Sequence, residues 1–75
     1  MAILLYFRKA REDTHEVEYL YGYPEMDRRM VINKDSLVGT PTDGIRDNSY
    51  VAVLTKITRI RSSQDHWPET GSYAA

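Results

Sequence analysis

Asp47–Ser62, DNSYVAVLTKITRIRS, is the one long segment of this 75-residue chain with a clear helical period. Tyr50, Val53, Leu54, Ile57 and Ile60 recur at i, i+3, i+4, i+7 spacing and make a single apolar stripe, while Thr55, Lys56, Arg59 and Ser62 fall opposite. Asp47, Asn48 or Ser49 can supply the N-cap oxygen that accepts an otherwise unpaired backbone N–H. Lys56, Arg59 and Arg61 crowd the C-terminal half, where cations suit the helix dipole. Val51, Ile57 and Ile60 are β-branched and mediocre helix formers, so this helix needs a tertiary surface to pack on. The rest of the chain has to supply that surface.

Upstream, the periodicity changes from helical to alternating. Ala2–Arg8 (AILLYFR) reads as a first strand, with Ile3, Leu5 and Phe7 on one face and Leu4 and Tyr6 on the other. The polar cluster Lys9–Thr14 reads as a turn. His15–Tyr21 (HEVEYLY) reads as a second strand, with Val17, Tyr19 and Tyr21 opposite Glu16, Glu18 and Leu20. A hairpin centred on Glu12 pairs Phe7 with Val17, Leu5 with Tyr19 and Ile3 with Tyr21 on the inner face. On the outer face it pairs Arg8 with Glu16, Tyr6 with Glu18 and Leu4 with Leu20. Gly22–Asp27 (GYPEMD) carries turn chemistry. Arg28–Asn33 reads as a third strand with Met30 and Ile32 inward and Val31 outward. In the long connection that follows, Leu37 and Val38 are candidates for a short edge strand, which Pro41 ends.

The expected fold is therefore α+β, a two-layer, three- or four-stranded antiparallel meander with one C-terminal helix packed on one face. One domain spans 1–67, and 68–75 forms a partly irregular tail. Trp67 is a candidate to fold back onto the core.

Composition narrows function by exclusion. There is no cysteine, which excludes disulfides and thiolate metal sites. A chain this short without such staples often gains stability by associating with itself or a partner. The formal net charge of −1 gives no electrostatic footprint for nucleic acid or an anionic membrane. Hydrophobic content of 41% is too high for a wholly disordered chain. The apolar run in Met1–Phe7 has no basic leader and is too short for a signal or spanning helix, so the default reading is a soluble cytoplasmic protein.

Catalytic and metal signals are weak. His15 and His66, near Glu16, Glu18, Asp65 and Glu69, lack the spacing of a ligand set. Gly39–Gly44 (GTPTDG) lacks the lysine and hydroxyl of a phosphate loop. Ser36, Ser49, Ser62, Ser63 and Ser72 have no nucleophile-elbow context. No enzyme, cofactor or metal is expected. For nucleic acid, the candidate set is Tyr6, Arg8, Tyr23, Arg28 and Arg29, with Tyr21 nearby, since sheet aromatics can stack bases. Glu16, Glu18, Glu25 and Asp27 in the same region argue against it.

The better-supported surface is apolar. If the helix covers one sheet face, Leu4, Tyr6, Leu20 and Val31 remain together on the other, and such a patch marks an interaction site for a twin or a protein partner. The alternative is that the tail, through Trp67 and Tyr73, folds back and covers it.

EVEY (Glu16–Tyr19), GYPEMDRRMVI (Gly22–Ile32) and HWPETGSYAA (His66–Ala75) together resemble, over nearly the whole chain, a set of short proteins of high-GC Gram-positive bacteria with no assigned chemistry. The resemblance brings no catalytic or binding residues. It implies a bacterial protein whose WP-containing tail is a structured part of the domain. The expected function is an accessory or interaction module acting through the sheet face, with a nucleic-acid-associated factor as the alternative.

Overall fold

Alternating apolar segments separated by polar turns build antiparallel sheets, because a short turn can only return the chain alongside itself. The computed structural model describes residues 4–74. These residues form β1 (Leu4–Glu12), β2 (Glu16–Gly22), β3 (Arg28–Asn33), β4 (Gly39–Pro41), α1 (Asn48–Gln64) and β5 (Thr70–Ala74). The strands lie in the order β4-β3-β2-β1-β5, and every neighbouring pair is antiparallel. The fold is two-layer α+β. Strands β1 to β4 form a meander, and α1 carries the chain back over one face to the far edge.

The covered face follows from strand parity. Leu5, Phe7, Val17, Tyr19, Tyr21, Met30 and Ile32 all point to one side, where they are buried with Tyr50, Val53 and Ile57 of α1 and with Trp67. Burying one such side chain contributes about 1.5–3 kcal/mol, and this cluster drives folding. Leu54 and Ile60, at the margins of the helical stripe, are only partly buried. The helix begins where expected. Asp47 is the N-cap, its carboxylate accepting the Tyr50 N–H at 3.0 Å. It ends at Asp65, which adopts a left-handed conformation (φ 59°) while its N–H donates to the Arg61 carbonyl. The Arg61 guanidinium holds the Asp65 side chain at 3.0 Å.

Three expectations are corrected. First, Lys9–Glu12 is strand rather than turn, and the hairpin is not centred on Glu12. Asp13 makes the reversal instead, its Oδ1 accepting the backbone N–H groups of both His15 and Glu16 at 2.8 Å. The strands slide accordingly. Phe7 faces Tyr21 rather than Val17, Arg8 faces Leu20 rather than Glu16, and Tyr6 faces Gly22 rather than Glu18. Tyr19 has Lys9 opposite it rather than Leu5. The expected pair of Ile3 with Tyr21 involves a residue outside the described ones, and Phe7 holds that place. The inner and outer faces survive because the slide is by an even number of residues.

A β-bulge then reverses the facing. Lys9 pairs with Tyr19 and Arg11 with Glu18, which leaves Ala10 as the extra residue. Arg11 consequently joins the outer face, and Glu12 comes to the inner side beside Lys9.

Second, most of the expected irregular tail is β5, paired with β1 from Leu4↔Ala74 to Arg8↔Thr70. Gly71 is required there. A Cβ at this position would sit 2.6 Å from Cζ of Phe7, so any larger residue collides with a fully buried ring. Third, Leu37 and Val38 are not a strand. Leu37 occupies a left-handed turn (φ 61°), and Gly39–Pro41 forms the short edge strand, with Pro41 ending it.

Candidate functional site

The face of the sheet away from α1 is read most easily in rows across the strands. Tyr6 lies between Ser72 of β5 and Gly22 of β2. The next row runs Thr70, Arg8, Leu20, Arg29, and the one after it Arg11, Glu18, Val31, Thr40. Leu4, Tyr6, Leu20 and Val31 thus step diagonally across three strands, each one row on from the last. Leu4 is 37% exposed and Tyr6 39%, while Leu20 and Val31 are partly exposed. Tyr23, in the β2–β3 connection, adds a ring 5.5 Å from that of Tyr6 and is itself exposed. At the other end of the diagonal, Val31 joins the exposed Val38 in a shallow groove with Glu16, Asn33, Ser36 and Thr40.

The C-terminal segment leaves this face open. Trp67 is buried in the core under α1, with Arg61 over its ring at 5.8 Å, and Tyr73, opposite Leu5, turns to the same side. The alternative in which Trp67 and Tyr73 cover the outer face is overturned. The tail extends the sheet sideways instead.

Charge surrounds the diagonal. Glu18 accepts from Arg29 at 3.0 Å and from Arg11 at 3.3 Å, and these hydrogen bonds, that of Arg29 foremost, hold its carboxyl below the usual carboxylate range. Arg8, beside Leu20, forms no ion pair among the described residues.

The nucleic-acid set is split. Tyr6, Arg8, Tyr23 and Arg29 lie on the outer side or its rim. Arg28, one residue from Arg29, faces the other way, lying 4.9 Å over the Tyr21 ring and bonded to Asp43 and Asp47. Tyr21 itself is buried, burial pushes its phenol upward, and its hydroxyl finds no partner among the described residues. One arginine of the set is thus committed to the helix N-cap, and another to Glu18.

The bulge creates a second polar cluster that sequence reasoning missed. Past the C-terminal end of α1, Lys9 contacts Glu12 at 2.6 Å and Glu69 at 2.9 Å, and Glu12 in turn contacts Lys34 at 2.7 Å. Hydrogen bonds from Lys34 and Lys9 hold the Glu12 carboxyl down, and those to Glu12 and Glu69 raise the Lys9 ammonium. Tyr19 donates to the Pro68 carbonyl at 2.6 Å, with burial pushing its phenol up. His66 stands nearby, its Nδ1 3.0 Å from the Gln64 carbonyl, and His15 is exposed in the β1–β2 turn. The described residues bring no three histidine or carboxylate groups together in a metal-holding arrangement. Only a bulge makes Lys9 and Glu12 neighbours on one face, and an alternating pattern gives no sign of it.

No described helix is long and apolar enough to cross a membrane. No family model, curated protein or solved structure matches the chain.

Proposed function

We propose that this chain is a protein-interaction module that works by binding rather than catalysis and self-associates through the outer face of its sheet. The observation that carries this reading is the uncovered diagonal Leu4–Tyr6–Leu20–Val31, left open because β5 and Trp67 both go elsewhere. A small domain with a limited core gains stability from covering such a strip. The surrounding charges suit a second copy as the cover. Arg8, which forms no ion pair among the described residues, lies one row from Glu18, so a two-fold contact can set Arg8 of one copy against Glu18 of the other.

Sedimentation velocity across a range of concentrations tests this. The expected result is a reversible dimer that Tyr6→Glu or Leu20→Glu converts to a folded monomer, with the circular dichroism spectrum unchanged. A wild-type chain that stays monomeric at every concentration overturns self-association. The second reading, a nucleic-acid-associated factor, draws on the exposed Tyr6–Tyr23 pair beside Arg8. It predicts salt-dependent retention on immobilised single-stranded RNA or DNA, lost in Arg8→Glu.

A further inference from the structure

The two edges of the sheet are not alike. β4 is three residues long and ends in Pro41, which blunts it. β5 is longer and pairs only with β1, and among the described residues no strand lies on its other side. The Lys9 N–H donates to the Glu69 carbonyl at 2.7 Å, which fixes the phase of the ladder. In an antiparallel pair the residues alternate, so Gly71 and Tyr73 turn their backbone groups to β1. Thr70, Ser72 and Ala74 turn theirs to the open side. Beside this edge runs a groove between α1 and Tyr73. Its helical wall consists of two ladders at four-residue spacing, Asn48–Ala52–Lys56 and Val51–Thr55–Arg59. Val51 is half exposed there, and neither Lys56 nor Arg59 forms an ion pair among the described residues.

We propose that this groove takes an extended acidic peptide segment of a partner protein, added to the sheet as a sixth strand beside β5. The backbone groups of Thr70, Ser72 and Ala74 supply the ladder. Alternate side chains of the incoming strand fall on the helix side, where Val51 and Tyr73 offer apolar contact and Lys56 and Arg59 offer two cations. A second copy of this chain fits the same edge poorly. Thr70–Ala74 brings no carboxylate, and a two-fold pairing of β5 with itself would set the Lys56 and Arg59 flanks of two helices side by side. The site is separate from the outer face, so neither proposal depends on the other.

The test uses a fluorescein-labelled peptide of alternating threonine and glutamate, with its threonine–glutamine counterpart as control. In anisotropy titrations the glutamate peptide should bind saturably and the glutamine peptide about tenfold more weakly. Bound peptide should slow hydrogen exchange at the Ser72 amide. The double variant Lys56→Gln, Arg59→Gln should lower the affinity for the glutamate peptide by about tenfold with no change of fold. Ser72→Pro removes an outward N–H that β1 does not use, and it should abolish binding. Equal binding of both peptides, no binding of either, or unchanged binding by the charge variant overturns the proposal. So does self-association that Ser72→Pro abolishes and Tyr6→Glu does not, which would make the edge an interface between copies.

Discussion

On β2, Val17, Tyr19 and Tyr21 are fully buried under α1, while Glu18 and Leu20, set between them along the same strand, remain partly exposed on the other side. The two faces arise from one alternation and are held by different physics. The inner face is continuous apolar packing, in which each side chain touches several others and small changes of volume are felt. The outer face is one apolar diagonal between ion pairs such as Arg29–Glu18 and Arg11–Glu18. Partly exposed pairs of this kind contribute about 0.2–1 kcal/mol each. The stability of the fold therefore resides on one side, which leaves the residues of the other free to serve contact.

Substitutions can break this asymmetry or sharpen it. Phe7→Ala should have the largest effect, costing about 3–5 kcal/mol. That matches all the stability a core of this size supplies, so the variant should be mostly unfolded by circular dichroism at room temperature. Gly71→Ala attacks the same ring from β5 and should cost about 1–3 kcal/mol by urea titration, because Phe7 is packed too closely to yield. Asp47→Ala removes the N-cap of the helix that seals the inner face and one partner of Arg28, and should cost about 1 kcal/mol.

Acid probes both faces at once. Glu12, drawn inward by the bulge, and Glu18, on the outer face, both have carboxyls held below their ordinary range by cations. Unfolding lets each bind a proton at higher pH than the folded state does. Their contribution is thus complete above the unfolded value of about 4 and is lost as pH falls through the lower folded values. Thermal melts should be level near neutrality and decline below about pH 4, and Glu12→Gln or Glu18→Gln should each make the decline shallower. Leu4→Ser should do least, within about 0.5 kcal/mol in dilute solution. If the outer face pairs two copies as proposed, the melting temperature of the wild type should rise with concentration, and Leu4→Ser should abolish that rise.

Much of this was legible in the sequence, because the strand faces and the helical stripe are periodic. The parity of β1 to β3, the span of β3, a helix cap within Asp47–Ser49 and the shared outer facing of Leu4, Tyr6, Leu20 and Val31 follow from spacing and chemistry, while the choice of Asp47 and the diagonal arrangement do not. What was illegible depends on single residues without a periodic signature. Ala10 looks like any small polar-segment residue, yet as the bulge it extends β1, resets the hairpin register and places Lys9 next to Glu12. Thr70–Ala74 has too little apolar content to read as a strand on its own. It pairs because β1 has a second edge to satisfy and because Gly71 leaves room for Phe7. Arg28 shares the parity of Met30 and Ile32 and so faces the helix side, but the irregular loop that brings Asp43 and Asp47 to its guanidinium has no periodic signature.

The pairing of Leu4–Arg8 with Thr70–Ala74 also bears on the order in which the structure can come together. A polypeptide is made from its N-terminus, so β1 to β4 and the helix are all synthesised while one side of β1 still has no neighbour. During that interval Phe7 lacks the strand that closes over its ring, and β1 presents a bare edge next to the apolar Leu4 and Tyr6. A ribosome-bound chain arrested before Thr70 is consequently the form most prone to strand pairing with a stranger. Pairing of five modest residues, TGSYA, with β1 ends that exposure.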